Sequence, residues 1–438
     1  MKSTAQPSPD STHRMLLTNA RLVDPESQTV QRGALRIEGE RIAAILDEPP
    51  ARFDGRTLDL DGKWVLPGLV DAHVHSWGNP GPAFQERQLL QTDGTARAML
   101  YAGVTAFLDL FSPEDYIFDL RNEQRRDGLR AADIYAAGPI LTCPEGHGTE
   151  YGIPTRMVTS PEDARQTVDS LAGRRPDVVK LVYHPYRTER FPSMDRPTMR
   201  AIVNAARAHS LPTVVHIESW EGAHEAIVAG VDAITHTPPA PLPDSTLSAM
   251  QARGTAWIPT LAVHTELSHL LEHPNRLKND LLQAVADSSL LAAYRDTSTV
   301  PSSIRDWMER QSAHRAQRLD AVEKSAAAGI PLLAGTDAGN PGLFQGYSLH
   351  RELQLLANAG LSNWDALAAA TTRPGRLLDA PIGLRPGDRA NLLVLNASPL
   401  TNIRHTQHIH RVISRGRVVD RAAVHNKIAS AISDVPTP

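Results

Sequence analysis

The sequence of 438 residues contains a single cysteine, Cys143, and this scarcity excludes two classes of structure. One thiol forms no disulfide within the chain. Zinc sites built from several cysteine thiolates are excluded for the same reason. The lack of a disulfide framework is typical of a protein in a reducing compartment.

Long apolar runs and basic clusters are missing as well. No stretch is apolar enough to cross a bilayer, and the N-terminal MKSTAQPSPDSTHR is polar where a signal peptide needs a continuous apolar run. No run rich in Lys and Arg gives the electrostatic footprint of nucleic-acid binding, and the net charge is only -4. We expect a cytoplasmic protein without membrane or nucleic-acid partners, in which residues 1–12 form a flexible tail.

What the sequence does contain is typical of a large globular enzyme. The composition, 41% hydrophobic and 21% charged, is that of a soluble protein, and the length exceeds one ordinary domain. Residues 13–64 consist of short strand-like segments between turns, and residues 382–425 repeat this alternation of apolar and polar residues. We expect the two chain ends to pair in one composite β-sandwich domain.

Between the two ends, short apolar runs alternate with segments of helical spacing, which is the pattern of repeated βα units. The eight candidate strands are VLPGLVDAHVH, TAFLDL, DIYAAGPIL, VVKLVYH, PTVVHIE, AITHT, TAWIPTL and PLLAGTDA. They predict an α/β fold in which residues 65–381 form a closed (β/α)₈ TIM barrel. A helical insertion at about 264–329 follows the seventh strand, so we expect it to overhang the active-site face as a lid or pocket wall.

Histidines stand at the ends of three of these strands. His73 and His75 are two residues apart in DAHVHS, so their side chains point the same way along a strand. His216 and His236 close the fifth and sixth strands. A single strand-end histidine is often a structural residue. Four that converge where barrel enzymes hold their sites favour a metal centre.

Asp337 and Lys180 are further ligand candidates, each with an alternative role. Asp337 follows the eighth strand in LLAGTDAG. It either caps the next segment or binds a metal and takes a proton from the attacking water. Lys180 lies within the apolar VVKLVY, where burial would lower the pKa of its amine. It either extends from the strand end to solvent, or its neutral amine takes up carbon dioxide and becomes a carbamate that bridges two cations.

This pattern resembles the amidohydrolase superfamily, in the branch with two metals and a carboxylated lysine on the fourth strand, over nearly the whole chain. The resemblance implies two divalent ions, expected to be zinc, and six ligands: His73, His75 and Asp337 for the more buried ion, His216 and His236 for the other, and Lys180, as N6-carboxylysine, bridging both. The closing segments HRELQLLANAGLSNWDALAAATTRPGRLL and GLRPGDRANLLVLN are similar to the imidazolonepropionase-like and prolidase-like group.

The expected reaction is cleavage of an amide-type C–N bond in an N-acyl amino acid, a dipeptide or a cyclic amide. A hydroxide that bridges the two metals attacks the carbonyl carbon, and Asp337 acts first as general base and then as general acid. His147, in a Gly-rich loop after the third strand, is a second catalytic candidate. His147, Tyr183 and Trp77 are expected to contact this small-molecule substrate.

Several alternatives stay open at this stage. The same site is compatible with a lactone or ester hydrolase, and with a decarboxylase or isomerase on the same fold. Heterocycle deaminases of the superfamily usually use one metal and need no lysine on the fourth strand, so Lys180 argues against deamination. Peptide-cleaving relatives commonly carry a tyrosine after the fifth-strand histidine, where this chain has Ile217 and Glu218. A non-catalytic scaffold would have lost ligands, and none is missing here.

The substrate and the oligomeric state are not determined by the sequence. Trp77, Arg156 and Arg187 lie near the loops expected to form the pocket, and they suggest an organic substrate that carries a carboxylate. Many relatives form dimers or larger assemblies, so a homo-oligomer is one alternative.

Overall fold

A computed structural model describes residues 14–82, 87–88, 92–126, 131–184, 191–296, 298 and 300–433. The predicted tail of residues 1–12 and the candidate Arg187 lie outside the described residues. Among the helices that are described, none combines the length and the apolar character that a membrane span requires.

The strands from the two chain ends form one eight-stranded sheet, in the order β19-β18-β17-β5-β1-β2-β3, with β4 paired to β1. Its central contact is the antiparallel pairing of β5 with β17, in which Val65 lies opposite Val394. The strands of this sheet are β1 (Arg14–Asp24), β2 (Thr29–Glu38), β3 (Arg41–Leu46), β4 (Arg56–Asp59), β5 (Trp64–Pro67), β17 (Leu392–Leu395), β18 (Ile409–Ser414) and β19 (Arg417–Val418).

The middle of the chain forms a parallel barrel, as predicted from the alternation of apolar runs and helical segments. The strands of the barrel are β6 (Leu69–Val74), β9 (Val104–Asp109), β10 (Asp133–Ala136), β11 (Leu141–Thr142), β13 (Val179–Val182), β14 (Thr213–His216), β15 (Ala233–Thr235) and β16 (Ala256–Ile258). Residues 331–338 close the ring, because Leu332 bridges to Trp257 of β16 and Ala338 bridges to Val74 of β6. Short strands outside the ring are β7 (Asn79–Pro80), β8 (Arg87–Gln88) and β12 (Arg156–Met157).

Helices surround the barrel and form the segment after β16. They are α1 (Thr92–Tyr101), α2 (Glu114–Arg125), α3 (Pro161–Ala172), α4 (Arg196–Ala208), α5 (Trp220–Ala229), α6 (Asp244–Arg253), α7 (Leu261–Glu272), α8 (Asp280–Val285), α9 (Ser288–Arg295), α10 (Ser302–Ala313), α11 (Arg315–Ala327), α12 (Tyr347–Asn358), α13 (Asn363–Ala369), α14 (Thr372–Leu377) and α15 (Arg421–Ser433). The region predicted as an insertion therefore consists mainly of α7 to α11.

Small and branched apolar residues fill the barrel interior below the strand ends. This layer includes Ala72, Leu108, Val178, Val214, Ala233, Ile258 and Leu333. A packed interior of this kind leaves open space only at the mouth of the barrel. Polar side chains at the C-terminal ends of the strands therefore face that mouth.

Candidate metal centre

Six polar side chains meet in one pocket at the C-terminal ends of the barrel strands. The pocket has a cavity volume of about 390 Å³. The six side chains, all in the lining of this pocket, are His73, His75, Lys180, His216, His236 and Asp337. Each of them lies within a barrel strand or directly after one, so the βα repeat itself brings together residues from distant parts of the sequence.

His73, His75 and Asp337 form the most compact part of this group. The Oδ1 atom of Asp337 lies 3.2 Å from Nε2 of His73 and 2.9 Å from Nε2 of His75. Both ring nitrogens of His73 and Oδ1 of Asp337 are buried without a hydrogen bond among the described residues. Buried polar atoms are normally satisfied, so this set fits a bound cation as the missing partner.

His216 and His236 continue the group on the neighbouring strands. Their ring centroids are 4.3 Å apart, and the ring of His236 is 5.0 Å from that of His73. The Nδ1 atom of His236 lies 2.9 Å from Oγ1 of Thr260, so its Nε2 atom is the one available to a cation. The structure thus brings all four predicted histidines to the same mouth.

Burial determines the charge of three of these histidines. It lowers the pKa of His73, His216 and His236 well below the usual range, and neighbouring cationic groups lower it further. At neutral pH these rings are therefore uncharged and keep a lone pair for a cation. Four charged rings at these distances would repel one another.

Lys180 points into the barrel rather than to solvent. Its side chain is buried, and Nζ donates a hydrogen bond to Oγ1 of Thr235 at 3.2 Å. Burial lowers the pKa of Lys180 to about 7, although the nearby Asp337 partly opposes this shift. The alternative in which Lys180 extends into solvent is therefore wrong, because β13 places its amine inside the barrel.

The lowered pKa of Lys180 predicts a pH-dependent stability. Between about pH 7 and its ordinary pKa of 10.5, the unfolded chain binds one more proton at this residue than the folded chain does. The free energy of unfolding of metal-free protein is therefore expected to rise with pH across this window. Thermal unfolding in chelator and CO₂-free buffer should show a steeper rise for wild type than for Lys180→Met. Parallel pH curves would show that the amine is solvated.

Three strand ends at the site adopt left-handed backbone conformations. The φ angles are 76° for His236, 49° for Thr260 and 63° for Asp337. Residues other than glycine rarely adopt this region, and such strain concentrates at functional sites. At Gly339, with φ 114°, a Cβ atom would lie only 2.6 Å from the carbonyl oxygen of His75. The chain after Asp337 can therefore approach the first strand only because this residue is glycine.

Asp71 is a supporting residue that the sequence did not single out. Its carboxylate accepts hydrogen bonds from the amide of Thr336 at 3.0 Å and from the Thr336 hydroxyl at 2.7 Å. Burial raises the pKa of Asp71 to about 7. This side chain joins the first strand, which carries His73, to the segment that carries Asp337.

The predicted substrate contacts divide into two groups. His147 and Trp77 line the pocket, and Nδ1 of His147 lies 2.7 Å from a carboxylate oxygen of Glu150. Tyr183 does not line it, because its side chain continues the alternation of β13, packs outside the barrel and donates to Glu225 of α5. Its position does not support a substrate contact. Arg156 is ion-paired with Glu114 at 2.8 Å and also lies apart from the pocket.

Other pocket residues had no motif to mark them. Several come from α7, α10 and α11, which therefore form part of the pocket wall: Val263, His264, Trp307, Gln311 and Arg318. Near the mouth, His184 and Glu218 lie close enough to His216 to form a second group of potential ligands. Asn340 also lines the pocket, and its amide donates to the carbonyl of Asp337 at 2.9 Å.

Known proteins are similar to this chain in sequence or in fold. An uncharacterised protein of Mycobacterium bovis is 29% identical over 380 residues, which are 85% of this chain and 89% of its own. A Xaa-Pro dipeptidase with bound methionine has a TM-score of 0.75 at 21% identity, covering 93% of this chain and 99% of its own. The A. niger ochratoxinase has a TM-score of 0.73 at 19% identity, covering 93% of this chain and 96% of its own. These two likenesses concern the fold.

A known protein family matches most of the sequence. The model of the amidohydrolase family matches residues 64–419, which include the whole barrel, helices α7 to α14 and four strands of the end sheet, β5, β17, β18 and β19. The match agrees with the grouped His and Asp side chains at the barrel mouth, since this family generally uses a divalent metal. The chain therefore belongs to the amidohydrolase family and is a metal-dependent hydrolase.

Proposed function

We propose that the protein hydrolyses an amide-type C–N bond of a small molecule, namely an N-acyl amino acid, a dipeptide or a cyclic amide. The main support is the meeting of His73, His75 and Asp337 with the buried amine of Lys180 in one pocket. Neutral ring nitrogens suit a divalent cation, and a carboxylate beside them can move a proton. The shared fold with a Xaa-Pro dipeptidase agrees with this proposal.

The proposed ligands divide the site into two halves. His73, His75 and Asp337 would hold the more buried of two divalent ions, expected to be zinc, and His216 and His236 would hold the other. When bound, such ions lower the pKa of a water molecule and polarise a carbonyl oxygen. The unpaired buried nitrogen and oxygen atoms of this group support the assignment.

Lys180 is proposed to carry the carbamate N6-carboxylysine between the two halves. The neutral amine nitrogen attacks the carbon of carbon dioxide, one C–O π pair moves onto oxygen, and the nitrogen releases a proton. The product carries one negative charge over two oxygens, which two cations can share. A pKa of about 7 supports this step, because it leaves much of the amine unprotonated near neutral pH.

Asp337 is proposed to move the proton of the reaction. Its carboxylate accepts the proton of the attacking water and then donates it to the leaving nitrogen, so that the amine departs neutral. The hydrogen bond from Asn340 to the backbone of Asp337 holds the turn that presents this carboxylate.

His147 and Trp77 are proposed to contact the substrate. The contact between His147 and Glu150 orients the imidazole, whose other nitrogen is then free to meet a substrate oxygen. Trp77 lies 5.9 Å from the ring of Tyr151 and 6.5 Å from that of Phe111. These rings form an apolar wall that suits an organic acyl or amine group.

A hydrolysis screen with zinc-loaded enzyme tests the proposed reaction. The panel consists of N-acyl amino acids, dipeptides, lactams, lactones and an aminated heterocycle, and the readouts are new primary amine, acid and ammonia. We expect amine release from at least one amide, with catalytic efficiency in the usual range of about 10⁴ M⁻¹s⁻¹ or above. Asp337→Asn protein, purified in parallel, controls for contaminating hydrolases. Ammonia from the heterocycle alone, or acid from the lactones alone, would contradict the amide proposal.

A further inference from the structure

Arg318 is a buried cation in the wall of the pocket. It belongs to α11, lines the same cavity as Asp337, and is only 3% exposed. Arginine side chains are rarely buried unless they are paired. The partners of this guanidinium therefore indicate what the pocket is built to receive.

The bonds that Arg318 makes within the described chain all go to neutral oxygens. Its Nε donates to the carbonyl of Thr237 at 3.1 Å, and its terminal nitrogens donate to the carbonyl and the side-chain amide oxygen of Gln311 at 2.9 Å and 2.8 Å. A guanidinium has five N–H groups, so two are left over. Burial alone lowers the pKa of Arg318, to about 10, and no carboxylate among the described residues raises it.

In the part of the chain that the structure describes, the groups next to Arg318 add no compensating negative charge. The amide oxygen of Gln311 also lies 3.1 Å from Nδ1 of His264, so this histidine donates there. Burial, and secondarily Arg318 itself, lowers the pKa of His264 to about 3, which makes it uncharged at neutral pH. The carbonyl of Gln311 in the last turn of α10 offers only the partial charge of a helix end.

The two other arginines that are buried among the described residues are paired with carboxylates. Arg121 contacts Asp177 at 2.9 Å, and Arg351 contacts Glu266 at 3.0 Å. Arg318 differs from both in that it faces a cavity open to ligands. The anion that would pair with Arg318 is therefore a ligand that enters the pocket.

We infer that Arg318 binds a carboxylate of the substrate, through the N–H groups that Thr237 and Gln311 leave free. A planar guanidinium matches a carboxylate better than it matches a neutral amide or hydroxyl group. This inference rests on the proposed function and narrows it to amides with a carboxylate on the acyl or amine side, such as N-acyl amino acids. Arg318 then determines specificity, and the residues at the strand ends perform the reaction.

A matched pair of compounds tests this role. N-acetyl-leucine and N-(3-methylbutyl)acetamide contain the same amide and the same alkyl chain, and only the first has a carboxylate. We expect Arg318→Gln to lower kcat/KM for N-acetyl-leucine by roughly 10- to 100-fold, mostly through KM, since a charge-assisted hydrogen bond is lost. The neutral analogue should change by less than about threefold, because it makes no such bond. Arg156→Gln, which alters an arginine outside the pocket, should leave the ratio of the two unchanged.

Calorimetric titration of both compounds onto the zinc-loaded proteins separates this inference from the proposed reaction. If the hydrolysis screen releases no amine from any amide but N-acetyl-leucine binds wild type at least about tenfold more tightly than it binds Arg318→Gln, the amide proposal fails and the carboxylate site stands. The opposite outcome is that Arg318→Gln lowers kcat/KM equally for both compounds, or that N-acetyl-leucine binds wild type and Arg318→Gln equally tightly. Either result would show that Arg318 only connects Thr237 to α10. That result would overturn the inference.

Discussion

A Lys180→Ala variant is expected to lose bound metal and hydrolytic activity together. The buried amine is the group proposed to become the bridging carbamate, so its removal deletes a shared ligand and leaves a void in the barrel. Zinc content should fall from about two equivalents to one or fewer, and kcat/KM should fall by roughly 10³-fold or more, about 4 kcal/mol of transition-state stabilisation. Elemental analysis and steady-state kinetics on the same preparation measure both quantities.

Two further variants separate the chemistry of Lys180 from its packing. Lys180→Met keeps most of the buried volume and removes the cost of burying an amine, so the metal-free variant should melt no lower than wild type near neutral pH and still lose zinc. Lys324→Ala, which removes an exposed lysine paired with Asp320, should leave zinc content and rate unchanged. Added propionate is expected to restore part of the activity of Lys180→Ala by supplying a carboxylate. Full zinc content in Lys180→Ala would refute the bridging role.

Asp337→Asn is expected to have the largest effect on the reaction itself. An amide cannot accept the proton of the attacking water, so kcat should fall by about 10⁴-fold, the upper range for loss of a general base. The backbone should tolerate the change, because asparagine adopts left-handed conformations such as the φ of 63° at this position more readily than most residues. Single-turnover kinetics with matched zinc content would measure the loss.

The control for Asp337→Asn is Asp169→Asn, at a largely exposed carboxylate that pairs with His209. This control should leave kcat and zinc content unchanged. The kcat of Asp71→Asn is expected to lie between those of wild type and Asp337→Asn. Asp71 positions the segment before Asp337 but does not line the pocket. If Asp337→Asn kept more than about a tenth of the wild-type rate at full zinc content, another group would have to move the proton.

The parts of the site that follow strand periodicity were predictable from the sequence. His73 and His75 point the same way because a strand alternates, and His216 and His236 lie together because neighbouring parallel strands end at the same level. The same rule, applied one residue further, places Tyr183 on the opposite side from Lys180. Tyr183 was expected in the pocket as part of the loop after the fourth strand; β13 does end at Val182, but the side chain of Tyr183 packs outside the barrel.

Contacts between distant segments could not be predicted in this way. The hydrogen bonds that Thr336 donates to Asp71 join the first and last segments of the barrel, which are far apart in the sequence, and no local pattern specifies their pairing. The eighth barrel segment was correctly located from its apolar run. It pairs through single bridges rather than a regular ladder, since the backbone turns left-handed at Asp337.

Arg318 and Gln311 were not identifiable because nothing in the helical pattern shows which face of α10 or α11 covers the pocket. Both residues are polar positions in segments that contain many charged residues. Only the packing of these helices over the barrel mouth makes one guanidinium part of the pocket wall. The role proposed for Arg318 therefore depends on tertiary contacts that no local sequence pattern reveals.

The pairing of β5 with β17 has a consequence for how the chain is made. Val65 is synthesised long before its partner Val394. The pairing of β5 with β17 can therefore form only after almost the entire polypeptide has been synthesised. Non-local pairings of this kind form slowly and leave unpaired strand edges exposed in the meantime. Synthesis halted before Leu392 would yield a nascent chain with an open edge beside the completed barrel, and such a chain is a natural substrate for chaperones and proteases.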